Sequence, residues 1–303
     1  MSVDLIRENR ASELRSVEAS LRMLNVGCGM QFHSDWVNVD LIANHEGVIA
    51  HDLNDGLPFK TASFDVVYHS HVLEHVDPSS GHALVMECLR VLKPGGVLRI
   101  VVPDLERIVE LYLEMHFRAW EGEEGAKTDY TWMKLELLDQ LVRDRSGGRM
   151  GQYMSDPKIK NSDFVRSRVG DEYSRCSGHP CWGNASTVPS KKPKNTLRVF
   201  REWLVRKFAW LVLGRSGEEA FCEGMFRHSG EVHRWMYDRF SLREICERVG
   251  FTEFEVMSAF HSNIPRFNYY GLDVLGEEIR KPDSLFVECV KPVHWDDCAT
   301  VGR

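Results

Sequence analysis

Leu24-Asn25-Val26-Gly27-Cys28-Gly29 is the stretch whose reading decides the fold. An apolar run, Met23 to Val26, ends in Gly27-x-Gly29. About ten residues later a second short run, Trp36-Val37-Asn38-Val39, ends in Asp40. A buried strand, a glycine turn and a second strand closed by an acid form the plan of a nucleotide-type site at the carboxyl edge of a parallel sheet. Glycines let the backbone approach a ligand closely, and a carboxylate can accept both hydroxyls of a ribose. Gly-x-Gly alone is a weak signal, so the rest of the chain has to support it.

The flanking pattern does so. The first strand is read at 22–26, and only 30–35 separate the glycine turn from the second strand. A crossover helix normally needs about a dozen residues, so at most one turn fits here. The link from Asp40 to a third strand at 48–50 is short as well. Ser63 to Tyr68 is a buried strand that runs into His69-Ser70-His71-Val72-Leu73-Glu74-His75. Residues 79–92 have helical spacing, with Lys93-Pro94-Gly95-Gly96 as the stop. A fifth strand follows at 97–102. Two helices are predicted in 104–145, the first capped by Asp104 and the second at 130–142. Residues 146–195, rich in Gly, Ser, Pro, Lys and Asp, read as loops. A helix is predicted at 196–213, another at 241–249 before Gly250, and strands at 253–259 and 284–290 that form an antiparallel pair. An N-terminal surface helix is expected in 2–20.

Composition narrows the class. The 303 residues are 43% hydrophobic and 27% charged, ordinary globular material, and are enough for one large domain or a domain with a big insertion. The formal net charge of −7 disfavours nucleic-acid binding, which asks for a basic face. Eight scattered cysteines read as reduced thiols, and the charged N-terminus lacks the apolar core of a signal peptide, so a cytoplasmic location is expected. No run of apolar residues is long enough to predict a membrane span.

With those blocks in hand the chain resembles the class I S-adenosylmethionine-dependent methyltransferases, in the type 11-like branch whose motif reads L-N-x-G-C-G. The matching pieces are LNVGCG (24–29), VNVDL (37–41), HDLNDGLPF (51–59), SFDVVYHSHVLEHV (63–76) and LRVLKPGGVLRIVVPD (89–104). HRWMYDRFSL (233–242) and KPDSLFVECVKP (281–292) are similar to bacterial methyltransferases of surface-polysaccharide gene clusters. The resemblance implies an α/β fold: a Rossmann-like seven-stranded sheet with an antiparallel last strand, and a large, mostly helical insertion between strand 5 and the last helix. It implies a core of 1–104 and 236–303, with 105–235 as an inserted lid that binds the acceptor. S-adenosylmethionine is the implied cofactor. Gly27 and Gly29, with Asn25 and Cys28 in the same turn, would approach its methionine part. Asp40, followed by Leu41, would hold the ribose, and Asp52 and Leu53 would read the adenine. His69 would lie near the methionine part. The sequence departs from many relatives in carrying Asn25 where they have an acid and Met30 where they have a third glycine.

Methyl transfer from a sulfonium needs placement of the acceptor, and an oxygen acceptor also benefits from a base of matched pKa. His71 and His75, four residues apart and just beyond the fourth strand, are candidates, as is His233 before the last regular helix. Asp104 and Tyr237 are weaker ones. A metal on His71 and His75 would lack a third ligand nearby, so none is expected. Cys176-Ser-Gly-His179-Pro-Cys181 lacks the spaced pairs of a zinc finger and reads as loop thiols. Residues 196–213 interleave Trp and Leu with Arg and Lys. That suits either a membrane interface or packing against the insertion or a second subunit in a homodimer. The reading is therefore an O-methyltransferase acting on a small molecule or glycan hydroxyl. The alternatives are an RNA or protein methyltransferase and a S-adenosylmethionine-binding scaffold without catalysis.

Overall fold

The computed structural model describes residues 21–176 and 196–295. The helix expected in 2–20, and His179 and Cys181, lie outside the described residues. Two compact units are formed. One comprises 1–104, 236–280 and 284–303; the other comprises 105–235 and 281–283.

The first unit is built on a seven-stranded sheet. Its elements are β1 (Met23–Val26), β2 (Val37–Asp40), β3 (Val48–Ala50), β4 (Phe64–Ser70), α1 (Pro78–Val91) and β5 (Leu92–Pro103). Strand order is β3-β2-β1-β4-β5-β9-β6, with β6 and β9 drawn from the end of the chain. β1 to β5 are parallel to one another, and β9 runs antiparallel to both β5 and β6. This is the Rossmann-like methyltransferase sheet with the antiparallel last strand. The chain winds outward from β1 in one direction and from β4 in the other, so a crevice opens at the carboxyl ends of β1 and β4, where α/β sheets bind ligands.

Period-two alternation sends successive side chains to opposite faces. Leu24, Val26, Val67, Leu98 and Ile100 enter a core closed by α1. Met23, Val66, Tyr68 and Val101 enter a second core on the other face. α1 starts where the Asp77 carboxylate accepts the Ser79 and Ser80 amides, with Pro78 in the first turn. No helix lies between β1 and β2 or between β2 and β3, as the short spacings demanded. One boundary differs from the sequence reading. β5 begins at Leu92, which pairs with Phe64, so Pro94-Gly95 lies inside the strand beside a register shift and does not form a separate stop.

The second unit is helical: α2 (Leu105–Trp120), α3 (Ala126–Val142), α4 (Gly148–Met154), α5 (Ser162–Val169), α6 (Asp171–Cys176) and α7 (Thr196–Arg227). One expectation is corrected here. Residues 148–176, read as loop from composition, form three short helices held by buried polar contacts. The Asp139 carboxylate accepts the Arg149 and Met150 amides at the start of α4, and Glu136 pairs with Arg168 of α5 at 2.6 Å. The helix read at 196–213 ends where expected, at non-helical backbone at Gly214 (φ 68°, ψ −159°), and a second helical segment follows the kink to Arg227. α3 starts at Ala126, four residues before its apolar spacing.

The chain then returns to the sheet through α8 (Arg239–Val249), β6 (Thr252–Met257) and β9 (Ser284–Val290), with a two-stranded ribbon of β7 (Val274–Leu275) and β8 (Glu278–Ile279) between them. The ribbon adds two strands outside the seven-stranded sheet. An Asp238 capping box starts α8 and left-handed Gly250 ends it.

Candidate active site at the carboxyl edge of the sheet

The glycine turn leaves β1 with Gly27 at φ 64° and Gly29 at φ 53°, backbone that suits glycine. The Gly27 and Cys28 amides both donate to Val39 O, at 2.8 and 3.1 Å, which ties the turn to β2. Asp40 completes the tie. Its Oδ2 accepts the Gly29 amide at 2.8 Å, and its Oδ1 accepts the Ile42 amide at 3.1 Å. Asn25 is spent inside the fold, where its amide donates to Gln31 O and to Asn38 Oδ1. It therefore shapes the turn from beneath. The Cys28 thiol is pushed up to about 11 by burial and by the Asp40 charge, so it stays protonated at neutral pH. Leu41 is exposed at the rim. Asp52, also exposed, caps a turn of 3-10 helix at Leu53–Asp55, and Leu53 packs on the sheet core.

β4 delivers the histidines. His69 stands directly beside Val26 of β1 and beside Ile100 of β5, fully buried, with no hydrogen-bond partner for either ring nitrogen among the described residues. Burial alone lowers its pKa to about 4, so the ring is neutral. His71 follows with φ 54°, a left-handed conformation rare for a side chain of this size. That backbone turn aims the ring. Its Nδ1 lies 2.9 Å from Oε1 of fully buried Glu74, and its Nε2 lies 2.9 Å from the Ser284 hydroxyl. Glu74 and His75 sit in one turn of 3-10 helix, Leu73–His75. The Tyr237 hydroxyl is buried over Gly81 of α1, and its pKa is raised to about 12 by burial and then by the charges of Glu74 and Asp77. Asp104 and Tyr237 meet as a backbone bridge at the end of β5.

Residues 36–100 match the family model described as a methyltransferase domain. A Mycolicibacterium smegmatis protein named a probable S-adenosylmethionine-dependent methyltransferase is 32% identical over 99 residues, 27% of this chain. The match spans 38% of that protein's length. Among solved structures, a SAM-dependent methyltransferase of Thermotoga maritima is 14% identical, covers 93% of this chain and 88% of its own, and has a TM-score of 0.35. One from Archaeoglobus fulgidus is 12% identical, covers 96% and 95%, and has a TM-score of 0.35.

The matched stretch spans β2 to β5, the part of the fold that holds Asp40, Asp52, His69, His71 and Glu74. Its edge fits S-adenosylmethionine. A Cβ added at Gly29 would meet nothing within 4 Å, so the turn faces open space where a ligand can lie against backbone. Buried, neutral His69 pairs with Val26, the residue before the turn, and adds no charge that would repel a sulfonium cation. Sequence reasoning brought Gly27, Gly29, Asp40, His69 and His71 to one edge. It missed Ser284, which lies 213 residues from His71 and carries no local signal. His233 belongs to the helical unit, where it is buried and its amide donates to Gln140 O at 3.0 Å.

Proposed function

We propose that this protein is a S-adenosylmethionine-dependent methyltransferase that methylates a hydroxyl of a small molecule or glycan. The observation that carries the oxygen-acceptor reading is the line Glu74–His71–Ser284. Glu74, 2.9 Å from Nδ1, would hold the His71 proton on that nitrogen and so leave Nε2 with a lone pair. In the structure Nε2 lies 2.9 Å from the Ser284 hydroxyl. An acceptor hydroxyl in the same place would lose its proton to the same nitrogen, and Glu74 would stabilise the imidazolium that forms. When bound, S-adenosylmethionine supplies a methyl group already activated on a sulfonium. The remaining work falls to residues of this chain. The Gly27–Gly29 backbone would lie against the cofactor, Asp40 would accept its ribose hydroxyls, and the residues around buried His69 would keep the site dry.

The helical unit supports the acceptor class. Asp144, Asp156, Tyr153 and Arg149 line a groove of about 830 Å³. Carboxylates beside an aromatic ring and a guanidinium suit a polyhydroxylated ligand, and the chain's acidic balance speaks against a nucleic-acid acceptor.

Titration calorimetry and radiolabelled methyl transfer to hydroxylated acceptors test the proposal. His71→Asn, chosen because Asn tolerates left-handed backbone, should lower turnover by about 100-fold or more. S-adenosylmethionine affinity should stay within about twofold, because His71 is placed as the base and not as a cofactor ligand. Equal turnover in the wild-type and His71→Asn proteins would remove His71 as the base. Cofactor binding without turnover on any hydroxyl would favour the scaffold reading.

A further inference from the structure

The first half of α7 is used by nothing described so far. Phe200, Trp203, Leu204, Phe208 and Leu211 recur at the three- and four-residue spacing that aligns one helical face, with Trp210 beside Trp203. A helix packed on its own unit buries such a row. Here the row is exposed: Phe200 by 56%, Trp203 by 51%, Leu204 by 45%, Phe208 by 67%, Trp210 by 52% and Leu211 by 74%.

The charge around it is equally uneven. Between 191 and 215 stand eight lysines and arginines against Glu202 alone, in a chain whose net charge is −7. Arg201 lies to one side of the apolar row. Lys207 falls within the row, on a stem long enough to reach a polar layer while its methylenes stay apolar. Arg206 is paired with Glu218 across the break at Gly214. Among the described residues no helix is long and apolar enough to cross a membrane. A helix with a Trp- and Phe-rich face, a basic surplus and too many charges to span is suited to lie in the plane of a membrane interface. The basic surplus selects anionic headgroups.

We propose that residues 196–213 seat this protein on an anionic membrane surface. The Phe200, Trp203, Phe208, Trp210 and Leu211 side chains enter the boundary between headgroups and acyl chains. Arg201 and Lys207 face lipid phosphates. The proposal stands independently of the methyltransferase reading.

Flotation of the full chain with phosphatidylcholine vesicles, with and without phosphatidylglycerol, tests it. The anionic vesicles should retain about tenfold more protein than the zwitterionic ones, high salt should weaken retention, and tryptophan emission should shift to the blue on binding. Phe208→Glu with Leu211→Glu should abolish retention, and Arg201→Glu with Lys207→Glu should remove the preference for anionic lipid. Because the altered side chains are exposed, thermal melts of these variants should match the wild type. Absence of flotation on both vesicle types would overturn the proposal. So would light scattering that finds a dimer dissociated by Phe208→Glu with Leu211→Glu, since a second copy would then cover the face.

Discussion

His69 is the most confined titratable side chain at the candidate site, and its confinement has a measurable cost. Burial pulls its pKa from 6.5 to about 4. The unfolded chain takes up this proton near the higher value and the folded chain only near the lower one. The stability His69 contributes is therefore complete above the unfolded pKa and is lost as pH falls through the folded one. The full loss is about 3 kcal/mol at the bottom of that window. Chemical denaturation across the window should show this slope, and His69→Asn should flatten it. A wild-type slope unchanged by the substitution would mean that another group titrates. At this scale the residues of the glycine turn were legible because each sits in a short local pattern. Ser284 was not, since only the antiparallel return of β9 brings it to His71. Nor does local sequence show that Asn25 turns inward, because its partner Asn38 lies on the neighbouring strand.

The glycine turn as an element separates two requirements that the motif presents as one. Gly27 and Gly29 share positive φ, yet their surroundings differ. A Cβ at Gly27 would lie 2.4 Å from Val72 Cγ2, while one at Gly29 would meet nothing. Gly27→Ala should cost about 2–5 kcal/mol, combining left-handed strain with overpacking. Gly29→Ala should cost only the strain, about 1–2 kcal/mol. It should still lose most S-adenosylmethionine binding if the open space beside Gly29 is the ligand's. Melting temperatures with and without S-adenosylmethionine separate the two effects. An undiminished ligand-induced shift in Gly29→Ala would place the cofactor elsewhere. Elements with clean apolar periodicity, such as α1 and β4, were legible to within a residue or two. The helices of 148–176 were not, because each spans about two turns or fewer, with one buried apolar pair such as Met150/Met154 or Val165/Val169, and the polar contacts to Asp139 and Glu136 that anchor α4 and α5 give no local signal.

Across the sheet unit as a whole, the missing crossover helices raise the question of what covers the second face of the sheet. Residues 258–275 do, through Ala259, Ile264, Phe267, Leu272 and Val274. Arg99, fully buried on β5, fastens this cover. It pairs with Asp273 at 2.8 Å and Glu288 at 2.7 Å, donates to Ser258 O and His261 O, and stacks over Phe267. Tyr68 adds a bond to Asp273 at 2.6 Å. Burial raises the pKa of Asp273, and Arg99 opposes that rise. Arg99→Met keeps the volume of the stem but leaves two carboxylates buried together, so it should lower stability by about 3–5 kcal/mol in denaturant titration at neutral pH. The sign of the pH dependence follows from Asp273. Without Arg99 its folded pKa rises further above the unfolded value, so the penalty is present at neutral pH and shrinks as acid protonates the group. Replacing all three as Arg99→Met, Asp273→Asn and Glu288→Gln should recover part of the loss and remove the pH dependence. If the single variant were as stable as wild type at neutral pH, packing rather than the ion network would hold the cover to the sheet.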